Sequence, residues 1–466
     1  MSRLTYVSTR GVAPELAFDD VLLAGLARDG GLYVPSRWPT LEPGALARFA
    51  GMAYPDVAVE VMWPYVEGTI ARAAFEEIVH AAYATFDAPD VVPLVELGDG
   101  IWLAELFHGP TLAFKDIALQ LVGRLFDHVL GERDERVTIV GATSGDTGSA
   151  AIEACRDRDA IDIFILHPHG RTSEVQRRQM TTVLSSNVHN LAVEGTFDDC
   201  QDLVKALFAD EAFRDRRRLS AVNSINWARV MAQIVYYATS AAALGGGRSP
   251  VAFSVPTGNF GNVFAGYAAQ RMGVPIDRFV VASNRNDILT RFLSSGSMTI
   301  GEVHPTLSPS MDIQVSSNLE RLLFELVGRD GTHIAELMRR FRTDGTIDFD
   351  PAVMAQLERV WSGDRVDDEE TRATIASVHA RTGMLIDPHT AVGLAAAQRA
   401  DRDPDVPMIV LATAHPAKFP EAVEAATGVH PALPARLSDL FARPERYEVV
   451  PDDAPAIAAL IDQALG

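Results

Sequence analysis

Short, continuously apolar segments alternate with helical patterns through most of this chain, and this alternation restricts the fold more than any other feature. The segments of strand length are VTIVG (137–141), DIFILH (162–167), VHNLAV (188–193), VAFSV (251–255), RFVVAS (278–283) and PMIVLA (407–412). Runs that are apolar at every position are typical of parallel strands covered on both faces. Because helical patterns follow most of these segments, the sequence predicts an open, doubly wound α/β architecture.

Two stretches lack this alternation and divide the chain. Residues 1–95 are helical and punctuated by proline, and residues about 290–375 carry few strand signals but many charges. We therefore expect an N-terminal unit (1–95), a small α/β domain (136–235) and a large α/β domain (96–135 with 236–466) that contains a helical insertion. A chain of 466 residues is long enough for such a division.

The charge and cysteine content exclude several classes of protein. Lys and Arg number 41 against 62 Asp and Glu, a net charge of −21, so we expect no nucleic-acid or anionic-membrane partner. Cys155 and Cys200 have no CxxC spacing, which indicates reduced thiols and a cytoplasmic protein. The uncharged segment 230–247 contains polar side chains and ends in glycines, which favours a buried helix over a membrane span. We expect a monomer or a homodimer.

The segment GATSGDTG (141–148) joins a predicted strand to a predicted helix. Closely spaced Gly, Ser and Thr expose backbone N–H groups, which can hold a carboxylate or phosphate at the positive end of the helix dipole. Neither the dinucleotide-binding GxGxxG nor the P-loop GxxxxGK[ST] spacing is present. A tight turn capped by Ser and Asp is the alternative interpretation.

A second loop, PTGNFGN (256–262), follows the strand VAFSV and precedes another helix. It has the same predicted geometry and contains no lysine. A phosphate held by amide and hydroxyl donors alone suits a bound cofactor better than a phosphate that is transferred. Two such loops in one chain predict one anionic ligand group for each.

Lys115 lies at the start of a predicted helix whose apolar face runs through Ile117, Leu121 and Leu125. The positive end of the helix dipole disfavours its ammonium form, and burial behind Phe114 would lower its pKa further. A neutral amine of this kind can form a Schiff base. The alternative is a lysine that reaches the surface along its aliphatic stem.

Other side chains give separate signals. Thr413 follows the strand PMIVLA, where its hydroxyl could meet a heterocyclic nitrogen, with a turn residue as the alternative. Arg229 begins a charge-free helix, and a lone guanidinium there favours a buried anionic partner. His167 and His169 have no carboxylate partner nearby, so no metal site is predicted.

Taken in order, these motifs resemble the threonine synthase family, pyridoxal-phosphate enzymes of the tryptophan-synthase-β class. The matching segments are FHGPTLAFKD, GATSGDTGSAA, NSINWARVMAQIVYY, PTGNFGN, SMDIQVSSNLERLLFEL, DPHTAVG and ATAHPAKF, with YVSTRG and DGGLYVP in the N-terminal unit. They span nearly the whole chain and are most similar to the long form found in fungi and many bacteria. The resemblance implies pyridoxal 5'-phosphate as cofactor. It also implies two open doubly wound α/β domains of the fold type II kind, with an N-terminal helical domain and a helical insertion.

The family's functional residues fall on particular positions of this sequence. The resemblance places the Schiff-base lysine on Lys115, beside Phe114, and the hydroxyl facing the pyridine nitrogen on Thr413. It places the cofactor-phosphate loop on Thr257, Gly258, Asn259, Phe260, Gly261 and Asn262. The resemblance assigns binding of the substrate carboxylate to Ser144, Gly145, Asp146 and Thr147. For the substrate phosphate we predict Arg229, with Asn226 and Lys418 as further candidates.

The implied reaction converts O-phospho-L-homoserine and water into L-threonine and phosphate, by γ-elimination and β-hydration. A related phospho-lyase that releases phosphate and a 2-oxo acid is the nearest alternative, but the match through the N-terminal and insertion segments favours the synthase. A protein that only binds a phosphorylated amino acid would lack the lysine. A nucleotide-binding oxidoreductase is disfavoured because neither glycine-rich loop has the dinucleotide fingerprint.

Overall fold

The computed structural model describes residues 3–143, 145–221 and 223–466. Its strands are β1 (Tyr6–Ser8), β2 (Tyr33–Pro35), β3 (Leu94–Gly98), β4 (Ile101–Glu105), β5 (Val137–Ala142), β6 (Ile161–Pro168), β7 (Val188–Val193), β8 (Leu219–Ser220), β9 (Val251–Pro256), β10 (Ile276–Ser283), β11 (Ser297–Thr299), β12 (Thr346–Asp348), β13 (Trp361–Arg365), β14 (Met408–Ala412) and β15 (Glu448–Val450).

Its α-helices are α1 (Phe18–Ala24), α2 (Ala45–Phe49), α3 (Tyr54–Val66), α4 (Arg72–Tyr83), α5 (Lys115–Arg133), α6 (Asp146–Cys155), α7 (Glu174–Thr181), α8 (Phe197–Ala209), α9 (Glu211–Arg217), α10 (Trp227–Gly245), α11 (Gly261–Arg271), α12 (Ile288–Ser295), α13 (Leu319–Leu326), α14 (Gly331–Asp344), α15 (Pro351–Leu357), α16 (Asp368–Thr382), α17 (Pro388–Arg399), α18 (Pro420–Thr427) and α19 (Ala454–Leu465). Short 3-10 helices lie at Pro309–Met311, Pro416–Lys418, Ala435–Leu437 and Leu440–Ala442.

The larger sheet has the strand order β13-β10-β9-β14-β4-β3, parallel except where β3 pairs antiparallel with β4. Its central strand β9 is buried at every position. Phe253 and Val255 pack in one core with α10 and α11, while Ala252 packs in another with α17. Burial on both faces explains why this segment is an unbroken apolar run.

The smaller sheet has the order β15-β7-β6-β5-β8, and all its strands are parallel. Along β6, Ile163 and Ile165 face one core while Phe164 and Leu166 face another. Each of the predicted parallel strands is observed, and VHNLAV coincides with β7. The predicted fold class, two open doubly wound α/β units, is confirmed.

Two of the strands that the sequence analysis did not predict change the expected division of the chain. β13 lies inside the segment predicted to be a helical insertion, but it forms the edge of the larger sheet. Its sequence, WSGDR, contains no apolar run because an edge strand is only half covered. β15 pairs with β7, so residues 448–450 belong to the smaller sheet and not to the larger unit (236–466) predicted for them. A three-residue strand is too short to show a period, and the remaining domain boundaries stay a prediction.

The N-terminal unit is mainly helical, as predicted, with α1–α4 beside the antiparallel β1–β2 pair. The fully buried Trp227, at the start of α10, packs against this unit. The Trp227 ring lies 5.9 Å from Tyr6, 6.1 Å from Trp38 and 5.6 Å from Tyr65. This aromatic cluster fixes the first turn of α10, which carries Arg229.

The uncharged segment that follows Arg229 forms most of the buried helix α10, as predicted. In the part of the chain that the structure describes, no helix combines the length and the apolar composition needed to cross a membrane. Cys155 and Cys200 are buried free thiols.

Candidate active site

A cavity of about 980 Å³ is lined by the residues that follow β5, β9 and β14. Ligands of open α/β sheets bind at this end of the strands. The predicted residues on its wall are Phe114, Lys115, Asp146, Thr147, Arg229, Thr257, Gly258, Asn259, Phe260, Gly261, Asn262 and Thr413. The fold therefore brings together segments that lie far apart in the sequence.

Lys115 is the first residue of α5, with 8% of its surface exposed. Its Nζ lies 3.4 Å from Asp146 Oδ2 and 5.3 Å from the centre of the Phe114 ring. Burial lowers the pKa of Lys115, and the Lys418 and Arg229 cations lower it further, whereas Asp146 opposes them. The net shift is downward, so the buried interpretation of this lysine is confirmed over the snorkelling one.

The backbone holds Thr413 beside Lys115. The Phe114 N–H donates to Thr413 O at 2.9 Å, and Ala113 and Ala414 form an antiparallel bridge. The segment that presents Lys115 is thereby joined to the end of β14. Thr413 itself lies on the cavity wall.

Asp146 is buried at the start of α6 and is surrounded by donors. Its Oδ1 accepts from Gln176 Nε2 at 2.9 Å and lies 3.0 Å from Lys418 Nζ. Its Oδ2 accepts from Ser310 Oγ at 3.3 Å and from Lys115 Nζ at 3.4 Å. Burial acts to raise the pKa of Asp146, but the Lys418 and Lys115 cations outweigh it and hold the pKa far below its usual range. This ionised side chain would repel a substrate carboxylate, so only the main-chain N–H of Asp146 suits the predicted role.

One side chain of the segment between β5 and α6 accepts hydrogen bonds from two main-chain N–H groups. Thr143 Oγ1 accepts from the N–H groups of Gly145 at 3.0 Å and of Gly148 at 2.8 Å. Gly145 has a φ of 146°, and a Cβ there would lie 2.4 Å from Gln176 Oε1, so glycine is required. The main-chain N–H groups of Asp146 and Thr147, in the first turn of α6, have no acceptor within the described residues and can bind an anion. Ser144 lies outside the described residues.

The loop between β9 and α11 follows a tightly fixed backbone path. The Thr257 N–H donates to Ala282 O at 2.9 Å, and Asn259 O accepts from the Asn318 N–H at 3.1 Å. A Cβ on Gly258 would lie 3.0 Å from Ser310 O, so a side chain there would displace the neighbouring loop. These contacts hold the loop against the cavity.

The start of α11 is open toward the cavity. Phe260 precedes the helix with a φ of 63°, and within the described residues no side chain caps the helix that begins at Gly261. Asn262 Oδ1 accepts from Tyr237 Oη at 3.0 Å, while Asn262 Nδ2 is buried without a partner among the described residues. Uncapped main-chain amides and an unpartnered amide donor form a site for an anion.

Arg229 is 4% exposed, and its Nε and Nη1 atoms have no hydrogen-bond partner in the described part of the chain. Burial lowers the pKa of Arg229 to about 10. An unpaired buried guanidinium is costly, which indicates that an anionic ligand completes its environment. Asn226 differs, because its Oδ1 accepts from the Ala228 N–H at 3.0 Å and its Nδ2 donates to Leu22 O at 2.8 Å. Asn226 therefore caps α10 and has no free polar atom for a substrate.

Sequence reasoning missed His389, which lies on the cavity wall. Its Nδ1 lies 2.7 Å from Oδ2 of Asp387, the buried N-cap of α17, and its Nε2 accepts from the Ser310 N–H at 3.4 Å. Both His389 and Asp387 occur in the segment DPHTAVG. An N-cap aspartate two residues before a histidine is the signal that could have found them.

Three family models match the chain: "Threonine synthase N terminus" over residues 5–83, "Pyridoxal-phosphate dependent enzyme" over 90–358 and "Threonine synthase, C-terminal" over 390–461. A threonine synthase of Pseudomonas aeruginosa is 56% identical over 461 residues, covering 99% of this chain and 98% of that protein. The chain belongs to the threonine synthase family. The predicted resemblance is thus confirmed.

Solved structures and a named relative place the chain within this family. The pyridoxal-phosphate-bound threonine synthase of Brucella melitensis has a TM-score of 0.97 and 51% identity, with 99% of each chain covered. The Escherichia coli threonine synthase has a TM-score of 0.82 and 31% identity, covering 98% of this chain and 99% of that one. The human protein named threonine synthase-like 2 is 38% identical, over 93% of this chain and 91% of that protein. The predicted enzyme class and cofactor are confirmed.

The residues of the cavity fit pyridoxal phosphate. The uncapped start of α11 and the unpartnered Asn262 Nδ2 form a place for its phosphate. Lys115 supplies a buried amine for its aldehyde, and Thr413 supplies a hydroxyl on the same wall. These residues therefore provide for the phosphate, the aldehyde and the ring nitrogen of the cofactor.

Proposed function

We propose that this chain converts O-phospho-L-homoserine and water into L-threonine and phosphate. One observation carries the proposal: Arg229, a buried guanidinium with unpartnered nitrogens among the described residues, shares a cavity wall with the buried amine of Lys115. A substrate with an amine, a carboxylate and a phosphate has one group for each of the three positions at Lys115, the start of α6 and Arg229. Pyridoxal phosphate, when bound, supplies the electron sink that reaction at the substrate carbons requires.

Lys115 holds the cofactor through its amine and then moves protons at Cα and Cβ of the substrate. Its lowered pKa, caused first by burial, makes the neutral amine available at lower pH than in an exposed lysine. Asp146 Oδ2, 3.4 Å away, stabilises the ammonium form once the amine has taken up a proton. The pair therefore suits a group that must both accept and release a proton.

The loop from Thr257 to Asn262 would hold the cofactor phosphate, and Thr413 would meet the pyridine nitrogen. The open start of α11 supports the first assignment, because the positive end of a helix dipole stabilises an anion. A neutral hydroxyl at Thr413, unlike a carboxylate, would leave the ring nitrogen largely unprotonated. The cofactor would then be a more moderate electron sink, which suits elimination and replacement better than transamination.

The substrate's two anionic groups lie at different positions. Its carboxylate binds the N–H groups of Asp146 and Thr147 at the start of α6, and its phosphate binds the guanidinium of Arg229. The unpartnered Nε and Nη1 atoms of Arg229 support this assignment, because guanidinium and phosphate form paired, charge-assisted hydrogen bonds.

Product analysis tests the proposal. Purified protein with pyridoxal phosphate and O-phosphohomoserine is expected to release threonine and phosphate in equal amounts. Release of 2-oxobutyrate in place of threonine would overturn the synthase assignment in favour of the phospho-lyase. Lys115→Ala is expected to lose both the activity and the visible absorbance band of the bound cofactor. No band in either protein would indicate a protein that only binds a phosphorylated amino acid.

We place this activity in the cytoplasm, in a monomer or a homodimer. The buried free thiols of Cys155 and Cys200 support a reducing compartment. Sedimentation equilibrium of the purified chain distinguishes monomer from dimer, and a larger assembly would contradict the proposal.

A further inference from the structure

The chain uses lysine very sparingly. Its sequence contains only Lys115, Lys205 and Lys418, while the remaining basic side chains among the 41 are arginines. Lys205 is exposed on α8 and pairs with Asp202 at 2.8 Å. Lys115 and Lys418 are both buried, and both contact the carboxylate of Asp146. Two of the three lysines therefore contact the same buried carboxylate.

Lys418 is fully buried, and its ammonium group is saturated. Its Nζ donates to Thr111 O at 2.8 Å and to Gln179 Oε1 at 2.9 Å, and it lies 3.0 Å from Asp146 Oδ1. These acceptors match the three N–H donors of an ammonium group. No donor is left for a substrate phosphate, so the structure argues against the role first predicted for Lys418.

The contacts of Lys418 join the two sheets. Lys418 ends the 3-10 helix that follows β14 of the larger sheet, whereas Asp146 begins α6 after β5 of the smaller sheet. Gln179 lies on α7, and its Nε2 also donates to Thr111 O at 3.1 Å. The ion pair is thus held by contacts from both sheets.

Several charged groups surround the Lys115 amine. Asp146 stabilises its ammonium form, while Lys418 and Arg229 destabilise it. His389, on α17, also acts on Asp146. Asp116, the next residue of α5, is buried, and its carboxylate accepts from the Thr111 N–H and Oγ1 at 2.7 Å. The charges of Asp146 and Lys418 therefore act on the Lys115 amine in opposite directions. Asp146 is the group in contact with that amine.

We propose that Lys418 is a positioning residue that acts through Asp146: it keeps this carboxylate ionised and directed at Lys115, and the pair sets the proton affinity of the Lys115 amine. The consequence for function rests on the proposed role of Lys115. Loss of the Lys418 charge leaves Asp146 uncompensated and strengthens proton binding at Lys115. Loss of the Asp146 charge leaves the two cations unopposed and weakens it.

Because the chain contains three lysines, the proton affinity of Lys115 can be measured separately in each variant. The full chain labelled with [ε-13C]lysine gives one signal for each of three residues, whose titrations are followed by NMR without cofactor. Lys418→Met is expected to strengthen proton binding at Lys115 by about tenfold or more, and Asp146→Asn to weaken it by a similar factor. The double variant removes both charges. Its proton affinity at Lys115 is expected to lie between those of wild type and Asp146→Asn, because Asp146 contacts Lys115 and has the larger effect.

Lys205→Met is the matched control, since it removes an exposed lysine charge, and the Lys115 titration is expected to stay unchanged. Lys418→Arg keeps the charge and is expected to restore proton binding to within about threefold of wild type. An unchanged or weakened proton affinity at Lys115 in Lys418→Met would overturn the proposal. Should Lys418→Met fail to fold, the double variant provides the test. A proton affinity of Lys115 in the double variant equal to or lower than that in Asp146→Asn would also overturn the proposal.

The visible absorbance of the holoenzyme provides a second readout, and its pH midpoint is expected to follow the same order. A band that persists in Lys115→Ala would refute the proposed function, because another residue would then hold the cofactor. The NMR titrations would be unaffected by that result. The two failures are thus distinguishable.

Discussion

The two glycine-rich loops of the site have similar sequences but opposite character. The β5–α6 loop satisfies its own donors, because Thr143 Oγ1 accepts from the N–H groups of Gly145 and Gly148. It also brings a carboxylate, Asp146, into the site. The β9–α11 loop has no side-chain cap within the described residues and leaves Asn262 Nδ2 unpartnered. The first loop is therefore largely self-sufficient, whereas the second requires an external anion.

This difference explains how three anionic groups can share one cavity on a strongly acidic protein. A dianionic phosphate suits the open start of α11, where its charge meets free amides. The α6 loop retains the main-chain amides of Asp146 and Thr147, which is enough for a carboxylate. A second phosphate then needs its own cation, and Arg229 is the buried cation without a partner among the described residues.

Among changes at the anion positions, the largest effect is expected from Arg229→Met, which tests whether the α6 loop could bind a phosphate unaided. We expect kcat/KM for O-phosphohomoserine to fall about 100-fold, since charge-assisted hydrogen bonds worth roughly 3 kcal/mol are lost. The free energy of unfolding is expected to stay equal or increase, because an unpaired buried charge is removed. Steady-state kinetics and urea unfolding of the same preparation check both. A fall in kcat/KM of less than tenfold would contradict the assignment of the substrate phosphate to Arg229.

The strands and loops were readable from the sequence because two-sided burial and helix starts are local properties. The run VHNLAV coincides with β7, since each of its residues lies inside the sheet. β13 was missed because its edge position allows polar residues. Lys115, Thr413 and both loops were placed correctly on one cavity.

The role of Lys418 could not be derived from its neighbours in the sequence. Its acceptors belong to Thr111, Gln179 and Asp146, which lie more than 200 positions away and meet it only after both sheets are formed. The same holds for the difference between the loops, which depends on whether Thr143 turns its hydroxyl inward. Lysine scarcity was visible in the sequence, but it becomes informative only once two lysines are seen at one carboxylate.

Replacing one threonine by valine in each loop is expected to give smaller effects that differ between the two loops. Thr143→Val removes the acceptor of two buried N–H groups, and we expect the free energy of unfolding to fall by about 2 kcal/mol with little change in cofactor affinity. Thr257→Val lies in the open loop, and we expect its cofactor Kd to rise about tenfold with a smaller loss of stability. Thermal unfolding without cofactor and absorbance titration with cofactor measure the two quantities. Equal effects of both substitutions on cofactor affinity would show that the loops are equivalent.

The smallest effect concerns inorganic phosphate, which probes the open loop in the absence of cofactor. Phosphate that binds the folded chain raises its stability by about 1.4 kcal/mol at ten times its dissociation constant, so we expect a rise in Tm of a few degrees. Thr257→Val is expected to reduce this rise, whereas Thr143→Val is expected to keep it on a lower baseline. Pyridoxal phosphate should compete with the added phosphate, while acetate at equal ionic strength serves as the control anion. A phosphate effect lost in Thr143→Val and kept in Thr257→Val would reverse the assignment, because the α6 loop would then hold the phosphate and the α11 loop the carboxylate.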